Sequence, residues 1–363
     1  MKICILAGEK SGDNYGSLLC RNFKKLKPDI FIFGTGGEMM EKEGANLIKG
    51  IPFGYMGFSG IIKKIFSYLS SLKKILNEIE KQNPDIIIFI DNPGFNLEIA
   101  KRLKRRYKTC YYIPPKIWAH NYRRVKILKK YIDFVIPIFE FEKDIYMKEN
   151  IPVFYFGHPV VDLINIGEKK ESLMENRYII GILPGSRREE LIYNLPVMKK
   201  ILENLKDDLN FKVLISAINE EFKKLIYMFF KNSNFEYEIE NDLYSIIQNS
   251  NLIFAVSGTV NLEVAYFKKP MIVFYKTSFL NYLLCRLIVK VKFISPVNII
   301  LNEKLFPEYI QNFKVKDVVN DIIDIIKEGE IYKKQMIGFK KIRELLDRKN
   351  VSEKICRFIL ERS

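Results

Sequence analysis

Three stretches of the 363-residue sequence place reactive side chains directly after an apolar run. The first is DIIIFIDNPGFN, in which Ile86 to Ile90 run into the carboxylate of Asp91 and then into Asn-Pro-Gly. A continuous apolar run bounded by turn residues reads as a strand buried on both faces. A carboxylate at its end can work as a general base or cap the helix that follows, and chemistry alone leaves both open. The second is FAVSGTVNLEVA, which reads as a strand ending at Val256, a turn at Ser257, Gly258 and Thr259, and a helix with Glu263 one turn in. Free N–H groups at such a helix start suit a phosphate, Gly258 allows close backbone approach, and Glu263 can accept both hydroxyls of a ribose. An ordinary capping box gives the same pattern. The third is LPGSRREE: Pro184 and Gly185 set a turn, Ser186 and Arg187 offer donors to a diphosphate, and Arg188-Glu189-Glu190 reads as a solvated charged loop. Two anion-suited turns after strands of one half point to a nucleoside diphosphate.

Other positions carry weaker signals. GEKSGDNYG spaces Gly8, Gly12 and Gly16 unlike G-x-G-x-x-G, which argues against a dinucleotide cofactor and for a glycine-rich loop facing an acceptor. IPPKIWAH holds the only tryptophan, Trp118, either a stacking surface for a sugar or core. His158 in GHPVVD is a linker contact, a buried structural histidine or a ligand contact. The chain has no Asp-x-Asp to hold a divalent cation on a diphosphate. If a diphosphate leaves here, Arg187 and the Thr259 helix start must stabilise it without metal; no cofactor and no metal ligand is expected.

Strand and helix patterns alternate from the first residue, which implies parallel sheets covered by helices. The helix after the first strand is read over Ser17 to Leu26, and Ile65 to Ile79 shows apolar residues at three- and four-residue spacing. The alternation pauses near residues 160–175 and restarts at YIIGILPGSR, so two Rossmann-like halves are expected: residues 1–165 for the acceptor and Asp91, and 166–337 for the nucleotide. Residues 338–363 read as one basic amphipathic helix able to pack back on the first half. In open parallel sheets ligands bind beyond the carboxyl ends of the strands, which would bring Asp91 out into a crevice between the halves.

Hydrophobic residues at 48% supply ample core, and a net charge of +16 favours an anionic partner: nucleic acid, acidic lipid or phosphorylated small molecules. Dispersed basic residues and the lack of a recognised motif speak against nucleic acid. The segments PFGYMGFSGIIKKIFSYLSSLKKIL and SFLNYLLCRLIVKVKFI mix bulky apolar residues with Lys and Arg, which suits either an anionic bilayer surface or helices packed on a sheet. No apolar run reaches the about 18 residues of a membrane span. The scattered Cys4, Cys20, Cys110, Cys285 and Cys356, with only His120 and His158, do not form a zinc pattern. Reduced thiols of a cytoplasmic protein are expected.

In combination and in order, AGEKSGD, IDNPGFN, PPKIWAH with RRVK, FEFEKDIY, FGHPVVD, LPGSRREE, SGTVNLEVA and PVNIILNEKLFPEYIQ resemble the lipid-A-disaccharide synthases. Those are inverting GT-B glycosyltransferases of Gram-negative bacteria, and the resemblance covers nearly the whole chain. It implies transfer of a diacylglucosaminyl group from UDP-2,3-diacylglucosamine to 2,3-diacylglucosamine 1-phosphate, giving the β-1,6-linked disaccharide 1-phosphate and UDP. Carried over, Asp91 is the essential acid, best read as general base on the acceptor 6-hydroxyl. Arg187, with Ser186, and Ser257, Gly258, Thr259 and Glu263 would hold UDP. Asn298, Glu308 and Gln311 would line the cleft, and Ser11, Gly12, Asp13, Asn96 and Trp118 would border the acceptor. The enzyme would lie on the anionic inner face of the cytoplasmic membrane; a homodimer is left open. The chain departs from the family pattern at Asn92 and Gly94 and at Pro114, Lys116 and His120, which touches the acceptor contacts. Two other readings remain: a GT-B enzyme using UDP-N-acetylglucosamine with a soluble acceptor, or a non-catalytic binding protein in which Asp91 only caps a helix.

Overall fold

The computed structural model describes residues 1–51, 61–119, 121–164, 177–288 and 292–362. His120, all of PFGYMGFSG, most of the expected linker at 160–175 and the Val-Lys-Val at 289–291 lie outside the described residues. The chain divides into two compact units, Met1–Leu163 with Arg348–Ser363, and Ile164–Asp347.

In the first unit, β1 (Lys2–Ala7), β2 (Phe31–Thr35), β3 (Asn46–Leu47), β4 (Ile86–Ile90), β5 (Lys108–Tyr112) and β6 (Phe134–Ile136) form a sheet in the order β3-β2-β1-β4-β5-β6. Its strand pairings are parallel, and Ile3 to Ala7 run level with Ile86 to Ile90. All five residues of β4 are buried, as expected for a strand covered on both faces. The connecting helices are α1 (Lys10–Leu26), α2 (Glu38–Lys42), α3 (Ile61–Gln82), α4 (Pro93–Leu103), α5 (Arg124–Tyr131), α6 (Glu140–Lys148) and α7 (Val160–Ile164).

The second unit repeats this plan. Strands β7 (Tyr178–Leu183), β8 (Phe211–Ser216), β9 (Glu236–Glu240), β10 (Leu252–Val256), β11 (Met271–Tyr275) and β12 (Glu308–Ile310) take the order β12-β11-β10-β7-β8-β9. Its helices are α8 (Arg188–Leu205), α9 (Glu220–Phe230), α10 (Leu243–Asn249), α11 (Val260–Tyr266), α12 (Phe279–Ile288), α13 (Pro296–Leu301), α14 (Val315–Ile326) and α15 (Glu330–Leu345). The core includes Ile180, Val213, Phe254 and Phe274 from the sheet against Leu195, Met198 and Leu202 of α8.

Two sequence expectations are corrected. The glycine-rich stretch is not a loop: α1 begins at Lys10, so Gly12 and Gly16 lie within it. The reason is contact distance. A Cβ on Gly12 would stand 3.3 Å from Ala7 Cβ, and one on Gly16 only 2.5 Å from Met40 Sδ, so glycine lets α1 sit tightly on its neighbours. Nor is 338–363 one helix. The segment belongs partly to α15 and partly to α16 (Val351–Arg362), separated at Asn350, which has φ +56°. Helix α16 joins the first unit, where Ser352 N–H donates to Asp162 Oδ2 at 2.6 Å and Cys356 Sγ to the Leu19 carbonyl at 3.5 Å.

Candidate functional site

Both sheets read 3-2-1-4-5-6 in unit order, the doubly wound arrangement whose ligand crevice opens where neighbouring strands lead off to opposite sides. In the first unit that point lies between β1 and β4, whose last residues Ala7 and Ile90 are paired. Asp91 is the next residue after β4. It is part-exposed and takes φ +47°, followed by Asn92 at φ +43°. Two consecutive left-handed residues are uncommon outside Gly, Asn and Asp, and they turn the chain away from the sheet before α4 begins at Pro93. The turn is held through its backbone. Asp91 N–H donates to the Tyr112 carbonyl at 3.2 Å, while the Asp91 carbonyl accepts from Tyr111 Oη at 2.7 Å and Asn96 Nδ2 at 2.8 Å. The same amide reaches the Ile90 carbonyl at 3.2 Å and the Leu6 carbonyl at 3.4 Å. Asn96 is thus buried, with its side-chain amide donating to backbone carbonyls of the Asp91 turn.

Arg124, at the start of α5, is a cation whose charge interacts with Asp91. Its own pKa is lowered by burial, partly offset by attraction to Tyr111 and Asp91. Sequence reasoning quoted it only inside RRVK, because a basic run gives no signal of which member turns inward. On the β1 side, a Cβ at Gly8 would fall 2.2 Å from Asn92 Nδ2, so the first loop lies directly against the Asp91 turn. Ser11 is part-exposed in the first turn of α1.

Asp13 does not border this surface. It is 1% exposed, and its carboxylate accepts from Gly37 N–H at 2.8 Å, Met39 N–H at 3.2 Å and Met40 N–H at 3.0 Å, the start of α2. Trp118 is part-exposed; its indole N–H donates to Glu142 Oε1 at 2.9 Å and its ring meets Phe141 edge-on. Glu142 is buried, which raises its pKa against the donors Trp118 and Phe139 N–H. His158 is buried, accepts from Val160 N–H at 3.1 Å and packs on Tyr15 and Phe139. Burial and then Lys116 hold its pKa down at about 3, so it is a neutral structural histidine.

In the second unit the equivalent point lies between β7 and β10, with Leu183 paired to Ala255. The turns at 184–187 and 257–259 flank it. Gly185 takes φ +105°, and a Cβ there would fall 2.2 Å from Glu190 Oε2. Glu190 is not a solvated charge but lies in the first turns of α8. Its Oε2 accepts from Ser186 N–H at 2.8 Å and Arg187 N–H at 3.1 Å, and Oε1 lies 3.5 Å from the Arg187 guanidinium. The Ser186 and Arg187 N–H groups are therefore already bonded to a carboxylate, which leaves the exposed Ser186 hydroxyl and the Arg187 side chain, 51% exposed, as the donors this turn presents outward.

After β10, Ser257 Oγ donates to the Ile294 carbonyl at 2.7 Å, and Gly258 N–H donates to Asn261 Oδ1 at 3.0 Å. A Cβ on Gly258 would meet nothing within 4 Å, so open space lies beside it. Thr259 sits at the N-cap of α11 with no side-chain cap bond. Glu263 is 7% exposed. Burial raises its pKa to about 7 despite a hydrogen bond from Tyr244, and its Oε2 has no hydrogen-bond partner among the described residues. A buried carboxylate oxygen without a donor is unfavourable by about 1–3 kcal/mol, a cost expected where a ligand supplies the donor.

Asn298, Glu308 and Gln311 do not present polar groups outward. Asn298, fully buried, donates to the Phe306 carbonyl at 2.8 Å and Glu308 Oε1 at 2.9 Å, and accepts from Leu305 and Phe306 N–H, both at 3.1 Å. Glu308 accepts from Ile294 N–H at 3.0 Å and Ser295 N–H at 2.9 Å. Gln311 clips Thr277, accepting from its N–H at 3.2 Å and donating to its carbonyl at 3.0 Å. Through Ile294 this network reaches Ser257, so Asn298 and Glu308 support the turn at 257–259.

Solved structures share the fold at low identity. An S. aureus MnaA–UDP co-structure has a TM-score of 0.65 at 11% identity, covering 99% of this chain and 95% of that one. Acinetobacter baumannii MurG has a TM-score of 0.56 at 11% identity, covering 99% of each. These neighbours establish a GT-B architecture and nothing finer. Sequence relatives go further. Lipid-A-disaccharide synthase 1 of Legionella pneumophila (strain Lens) is 34% identical over 323 residues, 85% of this chain and 84% of that protein. Lipid-A-disaccharide synthase of Coxiella burnetii (strain CbuG_Q212) is 30% identical over 369 residues, 98% of this chain and 97% of the relative. The family model described as Lipid-A-disaccharide synthetase matches residues 3–358. With matches spanning both sheets and both switch points, the chain belongs to the lipid-A-disaccharide synthase family of glycosyltransferases.

Proposed function

We propose that the protein transfers the diacylglucosaminyl group of UDP-2,3-diacylglucosamine to the 6-hydroxyl of 2,3-diacylglucosamine 1-phosphate. The observation that carries the reading is Asp91, a part-exposed carboxylate just beyond the β1/β4 switch point in a chain with this family membership. Asp91 takes the hydroxyl proton as that oxygen attacks the donor's anomeric carbon. The new C–O bond forms as the bond to the UDP oxygen breaks, its electron pair leaving with UDP, and attack from the opposite face inverts the centre to β. Proton removal of this kind contributes about 10²- to 10⁴-fold. Arg187 neutralises charge on the departing diphosphate, and Glu263 accepts the ribose hydroxyls. Ser11 and Trp118, the part-exposed members of their set, border the acceptor.

The lipid substrates place the enzyme on the anionic inner face of the cytoplasmic membrane, where each nearby cation contributes about 1 kcal/mol. Supporting features are the +16 net charge and the outer face of α12, where Phe279, Leu280 and Leu283 are 69%, 72% and 45% exposed near Arg286. In α3, exposed Leu69 neighbours Tyr68, whose ring meets Phe95 edge-on beside the Asp91 turn. No helix among the described residues is long and apolar enough to cross a membrane.

Incubation with both lipid substrates, with and without EDTA, and mass detection of the disaccharide 1-phosphate tests the reaction. Product in both arms is expected; no disaccharide from competent substrates overturns the reading. Sedimentation with anionic but not neutral vesicles, weakened by replacing Phe279 and Leu280 with Ser, tests the membrane contact.

A further inference from the structure

Glu263 is held by a neighbour that the sequence motif does not contain. Helix α11 carries the glutamate with one oxygen, Oε2, buried and lacking a partner among the described residues. A hydrogen bond that stabilises its carboxylate comes from Tyr244 of α10. That tyrosine is itself fixed. Its ring lies 5.9 Å from the Phe267 ring, and α10 is pinned at its start by Asp242, which accepts from Ser245 N–H at 3.0 Å. At the far end of α10, Ser250 Oγ donates to the Ile246 carbonyl at 2.6 Å and lies so near β7 that a Cβ on Gly181 would stand 2.4 Å from it. A hydroxyl held this firmly dictates the plane of the carboxylate it binds.

Resting on the reading of Glu263 as the ribose acceptor, we propose that Tyr244 is a positioning residue for the donor nucleotide. It engages one side of the Glu263 carboxylate so that the other is presented to a ribose hydroxyl. Among the described residues, burial and Tyr244 are the influences that act on the Glu263 carboxylate. Strand β10 (LIFAV) and α13 (PVNIIL) carry no ionisable side chain, and β11 only Tyr275. On α15 the Arg343 guanidinium lies 5.6 Å from the Tyr266 ring, and beyond α11 the Lys269 ammonium donates to the Gln248 carbonyl at 2.6 Å. Removing the Tyr244 hydroxyl leaves burial unopposed, so the carboxylate stays protonated to higher pH and its acceptor geometry loosens.

Calorimetric titration tests this, with UDP and with 2′,3′-dideoxyuridine diphosphate as probes, on the intact wild type and the Tyr244→Phe and Glu263→Gln variants between pH 6 and 8. Wild-type affinity for UDP should fall below about pH 7 and exceed that for the dideoxy analogue. Tyr244→Phe should bind UDP about three- to tenfold more weakly at pH 7, as expected for a lost bond to a charged group. Its acid limb should move to higher pH, its affinity for the dideoxy analogue should match wild type, and Glu263→Gln should abolish the limb. Equal wild-type affinity for the two probes overturns the proposal even if the variants fail to fold. So does a Tyr244→Phe protein indistinguishable from wild type towards UDP, or one equally impaired towards both probes. A wild type that binds no UDP at all instead removes the donor-site reading and the proposal with it.

Discussion

Asn96 donates its side-chain amide to the main-chain carbonyl of Asp91 at 2.8 Å, and the same nitrogen lies 3.2 Å from the Ile90 carbonyl that ends β4 and 3.4 Å from the Leu6 carbonyl in β1. One buried amide therefore gathers both strands of the switch point under the proposed base. Asn96→Leu leaves these carbonyls without that donor, so a stability loss of about 1–3 kcal/mol is expected. Turnover should fall while UDP affinity, which depends on the other unit, holds. Denaturant melts with kcat and UDP titration check it; equal loss of both functions would count against the brace.

Asp91 itself lends a backbone control. At φ +47° Asn is tolerated almost as well as Asp, whereas Ala loses about 1 kcal/mol or more through its Cβ. Asp91→Asn should keep the wild-type melting temperature and lose about 10²- to 10⁴-fold in turnover; Asp91→Ala should lose both. An Asn variant retaining a tenth of the activity would relegate Asp91 to capping α4.

The Asn298 side chain makes four hydrogen bonds at zero exposure. Asn298→Ala should destabilise by about 3 kcal/mol or more, since several buried groups are orphaned together. Weaker UDP binding should appear only where the second unit loosens. A binding defect at unchanged stability would make Asn298 a ligand contact after all.

The pKa of Glu263, raised from 4.5 to about 7 by burial, carries a stability consequence. The unfolded chain ionises at lower pH than the folded one, so stability is fully present below pH 4.5 and is lost as pH rises through about 7. Ligand-free Glu263→Gln should thus equal wild type near pH 4.5 and exceed it by up to roughly 3 kcal/mol at pH 8, even as it weakens UDP. Thermal melts across that range measure it.

His158 works in the opposite direction. Its pKa falls from 6.5 to about 3 on burial, so the unfolded state binds the extra proton between those values. Stability is full above pH 6.5 and drops as pH falls, by at most about 1.4 kcal/mol per unit from this group. His158→Gln should flatten that part of the acid-denaturation curve.

What could be read from the residues was the local part of the design. Apolar runs fixed strands such as Ile86–Ile90 and Leu252–Val256, because burial on both faces demands unbroken apolar character. Alternation gave the two parallel sheets, and the carboxylate or turn after each strand gave Asp91, Arg187 and Glu263. The motif string identified the family. Glycine spacing misled, because Gly12 and Gly16 relieve contacts with Ala7 and Met40, partners that only packing reveals. The polar residues Asp13, Asn96, Asn298, Glu308 and Gln311 are typed identically whether they face a ligand or a helix end. Only the tertiary structure decided that they serve backbone groups up to ninety residues away. It likewise chose Arg124 from its basic run, set Glu190 on the Ser186–Arg187 turn and brought Tyr244 to Glu263. A side chain's chemistry is local, but which donor satisfies a buried acceptor depends on chain segments that sequence order keeps apart.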